Sequence, residues 1–379
     1  MSKATIFFVL CLGLTSFGLV MIYSTSSLLA QENYGSADYF LKHQLMGLAL
    51  GLIGLLIAMQ INLNWIQKQA KWIYIFGIIF VGLVYIPQFR HSVGGAKRWV
   101  HILGFNFQPS EFLKYAVLIY ISDWVSRHIV LAKKFTYGIL LPLALVGPPI
   151  ILVLLQPDLG SSVAMALVVA IIIFVAGARI TYLIGLVSLA LPGLMWAVMG
   201  VQYRRARILA FLDPWKDPQG SGFQLIQSFI ALGSGGWTGM GLGQSRQKMY
   251  YLPEAHTDFI FSIIGEEFGY IGALLVIIAF ICLFYYGFKI ASEASTPFGH
   301  LLGVGIISMM AVQCLINIAV VTGSMPTKGM PLPFISYGNS NLTMNMIGVG
   351  LLLNIAQFKN AKKDKKTIST QKKYYPVRW

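Results

Sequence analysis

The sequence predicts an all-α polytopic membrane protein of about ten transmembrane helices, and three observations lead there. Hydrophobic residues make up 56% of the 379 and charged residues only 11%. Mean hydropathy is strongly positive, far outside the soluble globular range. The apolar residues gather into runs, most of them near the ~17 to 25 residues that cross about 30 Å of hydrocarbon, and lysine and arginine are unevenly shared among the loops between them.

The spans are expected near 6–23, 45–59, 72–86, 112–125, 137–155, 161–176, 182–199, 260–288, 301–322 and 341–356. The first is long for a signal peptide, and Leu28-Leu29-Ala30 lacks the small residue wanted upstream of a cleavage site, so it reads as a retained span. The fourth is the shortest of the set. Pro148, Pro149 and Pro192 fall inside spans, where neighbouring helices and water can satisfy the freed backbone groups.

Orientation follows from the cations. With both termini cytoplasmic, the inner segments hold Lys3, Lys68, Lys71, Arg127, Lys133, Lys134, Arg179, Lys289 and the tail, more than half of the 28 Lys and Arg. Most of the +15 net charge is then a topology signal. The chain divides into one ten-helix domain, 1–358, with an extracytoplasmic loop at 200–259 between helices 7 and 8, and a basic cytoplasmic tail, 359–379. Lys359 to Lys373 suits anionic membrane lipids, each cation contributing about 1 kcal/mol near such a surface. An orientation tail and a specific partner site both fit it.

Other chemistries are poorly supported. Cys11, Cys282 and Cys314 fall in spans without metal or disulfide spacing, the six histidines form no metal-type pair, and no internal repeat favours an inverted-repeat transporter. Nothing points to nucleic acid.

The long outer loop holds a turn signal at Phe211-Leu212-Asp213-Pro214-Trp215, then amphipathic helical spacing over 223–232, which predicts a short helix against the membrane surface. Gly233, Gly235, Gly236, Gly239, Gly241 and Gly243 follow, a density that permits tight turns and close approach of backbone N–H groups to a ligand. At the mouth of the eighth span stand Glu254, His256, Asp258, Glu266 and Glu267. Ionisable residues in so apolar a chain point to function, although Asp258 is also well placed to cap that helix.

Three basic groups oppose the charge bias: Lys97-Arg98, Arg204-Arg205 with Arg207, and Arg246 with Lys248. Arginine's planar fork and lysine's mobile charge suit phosphate or diphosphate, and equally the headgroups of ordinary lipids. Glu111 and Lys114, spaced i, i+3 after Gln108-Pro109-Ser110, read as a structural or a site-lining pair. Asp158, in Gln156-Pro157-Asp158-Leu159-Gly160, reads as a helix cap or a site residue.

Six motifs in order, Gly95-Ala96-Lys97-Arg98-Trp99, 108–114, 156–160, Ala210-Phe211-Leu212-Asp213-Pro214-Trp215, 252–259 and Leu332-Pro333-Phe334-Ile335-Ser336-Tyr337-Gly338, resemble the SEDS family of bacterial cell-wall polymerases. They span nearly the whole chain. Ser234-Gly235-Gly236, Ser245-Arg246-Gln247-Lys248 and 263–267 look closer to its division members than to its elongation members.

The resemblance implies a ten-span enzyme of the bacterial cytoplasmic membrane that polymerises lipid II into β-1,4 glycan strands at the outer face and releases lipid pyrophosphate. It implies a class B penicillin-binding protein as transpeptidase partner, with other division or elongation proteins around it. Asp258 matches the family's essential aspartate. Lys97, Arg98, Glu111, Lys114, Arg204, Arg246, Lys248, Glu254, His256 and Ser336 become candidate substrate-binding residues, with Asp158, Glu266 and Glu267 in support. A divalent cation, Mg²⁺ or Mn²⁺, is associated with the family, but the sequence has no dedicated set of ligands.

Given that substrate, Asp258 would accept the proton of the attacking sugar hydroxyl. The outer cations would stabilise the departing diphosphate, and one displacement would invert the donor's α linkage. Glu254 and His256 would tune Asp258. One departure from the family pattern is Asn339-Ser340-Asn341 after Gly338, where Gly-Gly-Ser is common. Two rivals are a lipid II flippase and a non-catalytic division scaffold.

Overall fold

The computed structural model describes residues 1–86, 90–93, 96–102, 105–249 and 251–374; the side chains of 90–97, 102, 105, most of 187–198, 203 and all beyond 358 lie outside that description. The helices are α1 (Lys3–Tyr34), α2 (Tyr39–Gln60), α3 (Leu63–Gly82), α4 (Pro109–Arg127), α5 (Leu141–Leu155), α6 (Leu159–Val175), α7 (Ile180–Met199), α8 (Gln202–Leu212), α9 (Phe223–Ser234), α10 (Ile260–Ser292), α11 (Pro297–Val321) and α12 (Asn339–Tyr374). All of them except α8 and α9 coincide with the predicted spans. Among the described residues, six helices are by themselves long and apolar enough to cross a membrane. Of the rest, α6 is shorter, and α4 and α12 bury polar side chains.

Local chemistry sets many of the helix starts. Ser2, Asn62, Asp158 and Thr296 accept backbone N–H bonds as caps of α1, α3, α6 and α11. Pro109 and Pro297 open α4 and α11, where a missing N–H costs nothing. Between α3 and α4 lies an antiparallel sheet absent from the sequence reading, β1 (Arg90–Val93), β2 (Ala96–Ile102) and β3 (Phe105–Phe107), in that spatial order. Val100 is opposite both Arg90 and Phe107.

Helix α11 is the most buried of the membrane-length helices, enclosed by α4, α6, α10 and α12. Helices α2 and α12 pack closest. A β-carbon on Gly47, Gly51 or Gly54 would stand 3.0, 3.0 or 2.7 Å from Asn339, Met346 or Ile347, so this small-residue stripe lets the helices approach. Asn354 Nδ2 donates to Ala58 O and Ile61 O at the far end of the same seam.

Helix α10 breaks at Gly269, whose backbone (φ 67°, ψ −167°) is not helical. The break frees backbone groups, and the glycine-rich segment takes them up. Met240 N and Gly241 N donate to Glu266 O and Glu267 O at 2.9 and 3.0 Å, while Tyr270 N and Ile271 N donate to Gly236 O and Trp237 O at 2.8 and 3.1 Å. These glycine-segment N–H groups therefore serve α10, where the sequence reading expected a ligand. The predicted surface helix is α9, and it packs inward as well: Ser228 Oγ meets Ser262 Oγ and donates to Val321 O, both at 2.7 Å.

Candidate active site

Asp258 ends the turn that precedes α10. Thr257 N and Phe259 N both donate to Glu254 O, closing the turn around Glu254 in left-handed backbone (φ 57°). Three neighbours clamp it. Asn317 Nδ2 of α11 donates to Asp258 O and Met330 O at 2.8 and 2.7 Å. Tyr337 N donates to His256 O at 2.9 Å, and the His256 ring lies 4.5 Å from that of Phe40 in α2. Parts of the chain far apart in sequence thus fix one carboxylate.

The segment 327–330, between α11 and α12, forms a strap over this turn. Arg207 Nη1 of α8 donates to Thr327 O at 3.2 Å. Lys328 crosses Gly160 at the start of α6, and a β-carbon on Gly329 would stand 2.6 Å from Asp258 Oδ2. Opposite it, Arg98 of β2 donates from Nε and Nη2 to Gln156 O and Pro157 O at 2.8 and 2.7 Å.

The electrostatics follow from that packing. Asp258 keeps a small exposed face, yet burial raises its carboxyl to about 7, helped by Glu254 and Asp158 and opposed by Arg207 and Arg98. A carboxyl poised there can hold or release a proton near neutral pH. Burial lowers the His256 imidazole below its ordinary value, against the pull of Glu254.

Of the sequence-predicted residues, the fold gathers Asp258, Glu254, His256, Asp158 and Arg98 into one neighbourhood. Asp158 is the α6 cap, accepting from Ser161 N at 3.1 Å and Ser161 Oγ at 2.8 Å. Other candidates have different partners. Lys114 pairs with Glu111 at 2.7 Å, and Asn341 Nδ2 of α12 donates to the second Glu111 oxygen at 3.1 Å. Lys248, expected on a phosphate, pairs instead with Glu267 at 2.9 Å, with Ser24 donating to the same carboxylate. Glu266 holds the preceding segment, accepting from Ser245 Oγ and Arg246 N.

Ser336 Oγ accepts from Leu332 N at 2.8 Å, a turn-closing bond. Arg204 is part-exposed on α8, Arg246 is exposed, and the Lys97 side chain lies outside the described residues. The departure at Asn339 needs no left-handed turn, since Asn339 is the first residue of α12. Ser340 Oγ accepts from Gln108 N at 2.9 Å, joining α12 to the start of α4.

Sequence reasoning missed Asn317, Gly329 and Lys328. One signal was available for the last: Lys328 is the sole Asp, Glu, Lys or Arg between Glu293 and Lys359. As to metal, among the described residues no three His, Cys, Asp or Glu side chains converge.

Comparison with known proteins agrees with this architecture. A family profile described as "Cell cycle protein", covering FtsW, RodA and SpoVE, matches residues 4–361. The probable peptidoglycan glycosyltransferase FtsW of Geobacter sulfurreducens is 44% identical over 92% of this chain and 93% of its own. Stage V sporulation protein E of Bacillus subtilis is 40% identical over 92% and 96%. Among solved structures, a chain from a peptidoglycan synthase complex that coordinates polymerization and crosslinking superposes with a TM-score of 0.76 at 29% identity, covering 93% of this chain and 97% of that one. Thermus thermophilus RodA, at 23% identity and TM-score 0.67 over 93% and 96%, shares the fold. This multi-pass membrane chain belongs to the FtsW/RodA/SpoVE, or SEDS, family of cell cycle proteins.

Proposed function

We propose that this chain is a peptidoglycan glycosyltransferase that polymerises lipid II into β-1,4 glycan strands at the outer face of the bacterial cytoplasmic membrane, with Asp258 as the base. The supporting observation is one carboxyl, raised to about 7, held among Arg98, Arg207 and the Lys328 strap. Above that pH the carboxylate accepts the proton of the acceptor hydroxyl as its oxygen attacks the donor's anomeric carbon. A diphosphate leaves without protonation, so nearby cations stabilise it where a glycosidase would need a second carboxylic acid. Inversion follows from the single displacement.

Mg²⁺ commonly takes one or two carboxylates and completes its shell with substrate phosphates and water. Asp258 could hold such an ion, since among the described residues its carboxylate oxygens accept no hydrogen bond, whereas both Asp158 oxygens accept from Ser161. The ion would add neutralisation of the diphosphate.

We place both termini in the cytoplasm from the distribution of cations. A class B penicillin-binding protein is the proposed partner, supported by the similar chain's membership of a synthase complex. Purified wild type and Asp258→Ala, each with the cognate transpeptidase and labelled lipid II, test the reading. Polymer from wild type alone is expected. Polymer from both removes Asp258 from the chemistry, and lipid II transfer across liposomes without polymer favours a flippase.

A further inference from the structure

Lys328 sits in the strap between α11 and α12. Its Cε lies 2.8 Å, and Asp158 Oδ1 3.2 Å, from the point where a β-carbon on Gly160 would stand. The lysine stem therefore crosses the first turn of α6 beside Asp158. The residue before it accepts from Arg207, and the residue after it touches the Asp258 carboxylate. Lys328 thus lies beside Asp158, one residue from the strap's contact with Asp258.

Four other candidate cations are engaged. Arg98 and Arg207 donate to backbone carbonyls, Lys248 pairs with Glu267, and Lys114 pairs with Glu111. Lys328 differs: among the described residues its ammonium makes no hydrogen bond or ion pair, and its carboxylate neighbour Asp158 is taken up by Ser161. A largely enclosed cation without a partner is unfavourable. An anionic ligand would satisfy it by charge-assisted hydrogen bonds.

We propose that Lys328 binds the diphosphate of the lipid-linked donor and neutralises it as it departs; this rests on the glycosyltransferase reading. The acceptor oxygen forms a bond to the anomeric carbon and its proton passes to the Asp258 carboxylate. The bond from that carbon to the phosphate oxygen breaks, its electron pair leaves on the diphosphate, and the added charge falls beside the Lys328 ammonium. Asp258 then returns its proton to water.

Burial lowers the Lys328 ammonium to about 8, with Asp158 pulling the other way. The charged group that acts on it is Asp158 of α6, while Glu254, Arg98 of β2 and Arg207 of α8 act with Asp158 on the nearby Asp258. The cation is lost as pH rises through about 8, so wild-type kcat/KM is expected to fall on that alkaline side.

The test uses the full chain with its transpeptidase, lipid II as substrate and inorganic pyrophosphate as inhibitor. Lys328→Gln is expected to lower kcat about 100-fold, with a smaller change in KM, and to weaken pyrophosphate inhibition about 10-fold or more. Lys328→Arg is expected to keep polymerising and to lose the alkaline fall, because guanidinium does not deprotonate there. Polymer from wild type with unchanged kcat and pyrophosphate inhibition in Lys328→Gln overturns the proposal alone. If Lys328→Gln fails to fold, an alkaline fall that persists near 8 in Lys328→Arg overturns it. No polymer from wild type overturns the glycosyltransferase reading and this proposal with it.

Discussion

Gly329 and Asp258 touch so closely that a β-carbon on the glycine would stand 2.6 Å from Asp258 Oδ2, inside any real contact distance. The neighbour is the end of a side chain, which can turn aside at little cost to the fold. Gly329→Ala should therefore move the carboxylate more than it weakens the protein. We expect polymerisation to fall about 10- to 100-fold and stability to change by less than about 1 kcal/mol. Lipid II polymerisation per folded molecule, beside a thermal melt in detergent, checks both halves.

The raised Asp258 carboxyl sets an acidic limb. Its folded value, about 7, lies above its ordinary 3.8, so the folded chain holds this proton more tightly than the unfolded chain. The site's contribution to stability is consequently lost as pH rises from about 4 through about 7. Activity should rise over the upper part of that window as the carboxylate forms. Asp258→Asn should be inactive, melt like wild type below about pH 4, and melt higher than wild type by a margin that grows from there to about pH 8. Equal melting at pH 8 would contradict the raised value.

Lys248 and Glu267 form an ion pair with side chains only 6% and 0% exposed. Removing one partner leaves the other charge buried, so Lys248→Met should cost about 3 to 5 kcal/mol. Adding Glu267→Gln should restore most of that. Melts of the single and double variants in one detergent test the coupling.

Asn317 ties the Asp258 turn to the strap through two bonds from one amide. Asn317→Ala leaves both carbonyls without this donor, a loss of about 1 to 3 kcal/mol. Because the bonds orient the base, kcat should fall by more than KM rises. Steady-state kinetics with lipid II separates the two, and a rise in KM alone would argue against a positioning role.

Much of the architecture was legible because it depends on local properties. Helix existence follows from the length of an apolar run, and the break before α10 follows from Leu252-Pro253 and the charged turn behind it. The short strands over 90–107 were not legible, since they are brief and interrupted by glycine. Asp258 stood out by its motif, but its burial beside Asp158 and Arg98 was not readable there. The ion pair of Lys248 was not legible because its partners, Glu267 and Ser24, lie 19 and 224 positions away and nothing in spacing reports them.

Composition and near neighbours were enough for the membrane class, the spans, the helix over 223–232 and the order of family motifs, because each rests on residue type or on residues within a few turns. Folding settles which cation meets which carboxylate, how Gly269 breaks α10 to receive the 236–241 segment, and why Lys328, among the described residues, stands beside Asp158 without a hydrogen bond or ion pair. Apolar burial depends on how much surface each residue hides, which a single residue type can declare. A charge depends on the few atoms within hydrogen-bond reach, and in this chain folding brings those atoms from distant helices.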